Sequence, residues 1–176
     1  MPAAQAQSAV DVANLKVDQA FDGLYLSATL RFELSAAVEE ALLKGVPISF
    51  VAEAQVLRDR WYWYDKNVAI ATRSVRLAYQ PLTRRWRINV SAGTLEASGG
   101  ASLSQSFDQL QDALAAVRRI ARWKIAESSE IDADSRHNID FRFRLDITAL
   151  PRPMQIGITG NGDWSINVQR NVRPER

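Results

Sequence analysis

The chain predicts a mainly β fold, an antiparallel two-sheet β-sandwich with two helical excursions at about residues 36–44 and 107–121. Three observations carry this. Apolar side chains alternate strictly from Leu24 to Leu34 and again from Ile139 to Ile147, the period-two signature of strands with one buried face. Eight or nine strand-like runs recur at regular spacing between turn signals, the habit of sandwiches and open barrels. No apolar run approaches the ~18 to 20 residues of a membrane-spanning helix. At 176 residues the chain has the length of one domain, read here as residues 10–169, with residues 1–9 ahead of it and a polar tail over 170–176.

The elements follow in order. Val10 to Val17 and Leu24 to Leu34 form a hairpin around the turn chemistry of Asp22-Gly23. Ser35 precedes a short helix in which Ala37, Val38, Ala41 and Leu42 recur at helical spacing, and Gly45 and Pro47 stop it. Ile48, Phe50, Ala52, Ala54 and Val56 resume the alternation, with a bend expected near Leu57 to Asp59, where the apolar phase slips. Tyr64-Asp65-Lys66-Asn67 and Gln80-Pro81-Leu82-Thr83 are turns that make this strand, Val68 to Tyr79, and Arg85 to Ser91 a meander. Ser106 and Gln109 have capping-box spacing, and Leu110, Ala113, Leu114, Val117 and Ile120 form one helical stripe. A short strand from Trp123, an acidic loop over Glu127 to Asn138, and the strand Ile139 to Ile147 follow. Leu150-Pro151-Arg152-Pro153 then breaks the pattern at a sheet edge, Met154 to Ile158 runs on, and Asn161-Gly162 turns the chain into Trp164, Ile166 and Val168.

Composition removes several chemistries. The absence of cysteine excludes thiol catalysis, disulfides and cysteine-ligated metal, and a single histidine, His137, excludes multi-histidine metal sites. A triad of His137, Asp140 and a serine lacks a nucleophile elbow, and a lone histidine beside Asn138 reads as a surface or turn residue. Asp132-Ala133-Asp134 has the alternate spacing of some calcium loops, but no glycine sits at the sharp turn and Arg136 stands at the next ligand position. The loop is therefore read as solvated, and no catalytic, cofactor-binding or metal residue is assigned. Arginine outnumbers lysine, with groups at Arg84-Arg85-Trp86-Arg87 and Arg118 to Lys124, yet the net charge is only +2, which disfavours nucleic acid as a partner.

The densest feature is Arg58-Asp59-Arg60-Trp61-Tyr62-Trp63-Tyr64-Asp65-Lys66. On a strand, Trp61 and Trp63 share one face while Tyr62 and Tyr64 share the other with Arg60. Aromatic rings interleaved with guanidinium groups make a binding platform, and the competing account is cross-strand packing. With tryptophan the larger apolar body, Trp61 and Trp63 are the expected buried pair, leaving Arg60, Tyr62 and Tyr64 as the candidate partner-binding surface. The N-terminal stretch adds a location. Ala4-Gln5-Ala6 has the small-x-small form of a signal-peptidase site, so residues 1–9 read as a disordered mature N-terminus left by a removed signal peptide.

Arg60-Trp61-Tyr62-Trp63-Tyr64-Asp65, Leu77-Ala78-Tyr79-Gln80-Pro81-Leu82-Thr83, the helix followed by Trp123-Lys124-Ile125, and Leu150-Pro151-Arg152-Pro153-Met154 before Asp163-Trp164 together resemble an exported proteobacterial domain-of-unknown-function family, DUF4390. The resemblance spans nearly the whole chain. It implies a short, signal-peptide-bearing protein often encoded beside a two-component sensor kinase, and it supplies no catalytic residues. The reading that results is a periplasmic, non-enzymatic binding or interaction module, its partner an envelope protein or small ligand. The alternatives are an envelope glycan-active enzyme using paired carboxylates and a carrier of an apolar ligand.

Overall fold

A computed structural model describes residues 10–59, 66–92, 102–132, 134–158 and 162–175. The expected hairpin is β1 (Asp11–Ala20) and β2 (Gly23–Arg31). Gly23 is required there, because a Cβ on its backbone would sit 2.1 Å from the Ala126 carbonyl oxygen of the neighbouring strand. Ser35 caps α1 (Ala36–Leu43), its hydroxyl accepting from the Val38 N–H at 3.2 Å, and Gly45, with φ of 90°, ends the helix. β3 (Ile48–Arg58), β4 (Lys66–Gln80) and β5 (Arg85–Ala92) form the expected meander, and the register slips between Val56 and Leu57 as the sequence phase required.

The meander continues into a strand that the sequence did not suggest, β6 (Ser102–Phe107), paired with β5. The helix after it, α2 (Leu110–Arg118), is accordingly shorter than residues 107–121. Phe107 pairs with Trp86 in the sheet, Gln109 takes the N-cap position without a side-chain bond, and Ile120 already belongs to β7 (Arg119–Glu127), where it pairs with Ala28. The pairing of Ile120 with β2 buries it as fully as the helical stripe would have done, so the periodic signal survives the change of element.

β8 (His137–Leu145), α3 (Arg152–Ile158), β9 (Asn167–Val172) and β10 (Pro174–Glu175) complete the chain. The two prolines fall between β8 and β9, outside any ladder, as their missing donors demand. The run from Met154 to Ile158 belongs to a helix, α3, that already takes in Arg152 and Pro153. The stretch read as a polar tail is paired: Arg170 to Val172 finish β9, and Pro174–Glu175 form β10, which runs parallel to β1.

The strands form two sheets, one in the order β10-β1-β2-β7 and the other β6-β5-β4-β3-β8-β9. They stack as an antiparallel-rich β-sandwich, with β7 over β4 and β3, β1 beside β9, and α2 closing the inner face near β5 and β6. Leu24, Leu26, Ala28, Leu30 and Phe32 meet Ile139, Phe141, Phe143 and Leu145 in one core. Phe32 bridges the layers, its ring 5.4 Å from that of Phe50 and 5.6 Å from that of Phe143. Ile147, last of the alternating set, is 38% exposed because β8 ends before it in a 3-10 turn.

Three register shifts mark the smaller sheet, one in β7 between its pairings with Leu24 and Tyr25 and two that each carry a left-handed residue. One extra residue is inserted in β1 between Ala13 and Lys16, and another in β7 opposite Ser27. Each bulge holds a residue in the left-handed region, Asn14 with φ of 53° and Arg122 with φ of 45°, and the Arg122 N–H donates to the Ser27 hydroxyl at 3.1 Å.

Candidate functional site: the base of the β3–β4 connection

The predicted contact residues Arg60, Tyr62 and Tyr64, and Trp61 and Trp63 with them, lie outside the described residues. What is described is the base from which they extend. Arg58 closes β3, pairs with Lys66 on β4, and pairs with His137 on the other side. Three further contacts hold this corner. The Arg58 guanidinium lies 3.9 Å from the Asp132 carboxylate, the Asp59 N–H donates to the Arg136 carbonyl at 2.9 Å, and Arg173 reaches the Asp59 carboxylate at 3.1 Å. The acidic loop and the C-terminal strands thus converge on the last two residues before the aromatic stretch. Asp132 also accepts from the Asp134 N–H at 3.0 Å and the Ser135 hydroxyl at 3.1 Å, and these bonds hold its carboxyl below the usual range, with Arg58 adding to the effect.

His137 is not the surface residue that its neighbourhood suggested. It is buried, in phase with Ile139 and Phe141 on the inner face of β8, and among the described residues its Nε2 has no hydrogen-bond partner. Burial pushes its pKa below the ordinary imidazole value and Arg58 pushes the same way, while Asp132, Asp59 and a backbone bond to Ser135 oppose. The imidazole is therefore neutral at neutral pH. Its sequence signal was position: His137 continues the odd-numbered alternation by one more step. Asn138, pointing to the other face, has an Oδ1 that is likewise buried and without a partner among the described residues.

A His137–Asp140 relay does not form. The two leave opposite faces of β8, and Asp140 is taken up by Gln169 at 2.9 Å and Arg142 at 3.0 Å. The other notable carboxylates are also in structural roles. Glu127 and Glu130 close a capping box on a 3-10 turn, and Lys124 bonds Glu127 at 2.6 Å. Among the described residues no three histidine, aspartate or glutamate side chains converge to hold a metal ion.

The arginine groups disperse as well. Arg85 pairs with Asp108 at 3.3 Å, Arg118 turns inward against Phe32, and Arg122 stacks 4.8 Å over Tyr25 on the outer face of the smaller sheet.

The fold and this site define a two-sheet β-sandwich whose described polar groups are arranged to brace a strand connection. Residues 7–173 match the family described as Domain of unknown function (DUF4390), and the chain belongs to that family. No curated protein and no solved structure matches the chain. No helix among the described residues is long and apolar enough to cross a membrane.

Proposed function

We propose that the domain is a periplasmic, non-enzymatic interaction module, accessory to an envelope-sensing two-component system, that contacts its partner through Arg60, Tyr62 and Tyr64. The observation that supports this is the braced base. Asp59, the last described residue before the aromatic stretch, is held through its N–H by Arg136 and through its carboxylate by Arg173. A binding stretch mounted on a fixed base loses less freedom on association than one on a free loop, which is what preorganisation contributes to affinity. Glu127, Glu130 and Asp140, the carboxylates that the glycan-enzyme reading would draw on near the acidic loop, are engaged in a cap and an ion pair.

The test immobilises the domain and challenges it with envelope extract beside a Tyr62→Ala, Tyr64→Ala double variant. A partner retained by the parent and lost from the variant, by a hot-spot amount of about 2 kcal/mol, supports the reading. Equal retention by both removes these residues from it. Export is tested separately, by fusing the protein as its gene encodes it to a reporter enzyme that is active only outside the cytoplasm.

A further inference from the structure

A sheet edge is a row of unpaired backbone groups, and proteins usually blunt such edges with charge, proline, bulges or cover. Three of the four edges here are blunted in these ways. β7 carries the Arg122 bulge and the cations Arg119, Arg122 and Lys124; β10 is two residues long and begins with Pro174; β9 lies beside β1, with Arg170 bonded to Asp11 at 3.0 Å. The fourth edge, β6, is different. It is a regular strand without charge, proline or register shift, it pairs only with β5 among the described residues, and Leu103 on it is 70% exposed.

We propose that β6 pairs antiparallel with β6 of a second copy of the chain, about a two-fold axis through Gln105. Directly opposed residues in an antiparallel pair must share a face, which restricts the register. Leu103 and Phe107 lie on the inner face, opposite Val90 and Trp86 of β5, and Ser104 and Ser106 lie on the outer face. Centring the axis on Gln105 sets Leu103 against the partner's Phe107 and Ser104 against the partner's Ser106, with the two Gln105 side chains facing each other. Moving it by half a step sets Leu103 against Ser106 of the opposite face or against Asp108 beyond the strand. The absence of charge on β6 means that no like charges meet across the axis, so the strand complements itself as a two-fold interface requires. A strand pair of this length buries less than the ~1,200 Å² of stable interfaces, so the dimer is weak and concentration-dependent. This surface is separate from the β3–β4 connection, and the proposal goes beyond the reading above without resting on it.

Sedimentation of the full chain from micromolar to millimolar concentration tests it. Wild type should rise towards twice the monomer mass, and Leu103→Ser should weaken that rise. Gln105→Lys and Gln105→Glu, each placing like charges directly across the axis, should each self-associate at least about tenfold more weakly while melting like wild type. An equimolar mixture of the two should recover association as a heterodimer. A wild-type chain that stays monomeric throughout overturns the proposal. So do charge variants that dimerise as before, or a mixture that gains nothing.

Discussion

The guanidinium of Arg118 lies 5.3 Å above the ring of Phe32, and its Nε and Nη2 both donate to the Phe32 carbonyl oxygen, at 3.0 and 2.6 Å. One side chain thus fastens the end of α2 to the exit of β2 and covers the ring that joins the two sheets. Arg118→Met should lose about 1.5 to 3 kcal/mol, the cost of a charge-assisted bond whose part-buried acceptor goes unpaired. Arg118→Lys should recover less than half of it, because an ammonium cannot reproduce the fork. The contact to Glu33, 78% exposed, should contribute little: Glu33→Gln should leave a denaturation curve nearly unchanged.

Gly23→Ala should be among the most damaging single-methyl additions to the chain. The obstacle at 2.1 Å is the backbone carbonyl of Ala126, which cannot step aside as a side chain would. A loss of more than about 2 kcal/mol, with faster amide exchange along Gly23–Tyr25, is the expected result.

Leu30→Ala should cost about 2 to 5 kcal/mol, since Leu30 is fully enclosed between the sheets. Ile147→Ala, cut from the same alternating pattern but placed beyond the end of β8, should cost well under about 1 kcal/mol. Chemical denaturation of the pair separates burial from hydrophobicity.

Arg73 projects from β4 on the inner face of the larger sheet, between Ala52 and Ala92. Burial pulls its pKa down, and among the described residues no ion pair to it offsets that cost. Arg73→Met should therefore be neutral or stabilising, by about 1 kcal/mol, in contrast to the losses above. A loss larger than about 1 kcal/mol in a thermal melt would show that the guanidinium has a stabilising role.

The pH dependence follows from His137. Its folded pKa lies below the ordinary 6.5, so the folded protein binds the proton less readily than the unfolded chain. Stability is fully present above about pH 6.5 and falls as pH drops from there through the folded pKa. Asp11, Asp22 and Asp132, whose carboxyls are held below 3.8, add a separate loss only in stronger acid. Urea midpoints measured from pH 7.5 downward should decline in the histidine window for wild type and stay flat there for His137→Gln.

Where alternation was strict the sequence was explicit. The sets Leu24 to Phe32 and Ile139 to Leu145 face the core because a half-buried strand leaves no other arrangement. β6 was hidden by its serines, which read as loop, and the Ser106 and Gln109 pair imitated a helix cap although Phe107 was already committed to Trp86. Local capping chemistry lost to a ladder pairing with β5 that only the fold brings together. The polar run from Arg170 carried no apolar periodicity, because its pairing with β8 and β1 is made by the backbone. At the site, sequence proximity marked the aromatic stretch but could not show that Asp132, Arg136 and Arg173 return to Arg58 and Asp59. Those contacts join segments far apart in the chain, and surface charges in a sequence carry no label of their partners.

The paired bulges around Ser27 and Ala28 have a consequence for how the smaller sheet assembles. They act as a two-sided index mark. If β1 slid past β2 by two residues, the left-handed position would pass from Asn14 to Val12 or Lys16; if β7 slid, it would pass from Arg122 to Ile120 or Lys124. Valine and isoleucine tolerate that conformation poorly, so the slips that land on Val12 or Ile120 are penalised by backbone sterics before any side chain has packed. Strand alignment in this layer is thereby checked during folding at two points on one central strand, independently of the hydrophobic pattern that draws the strands together.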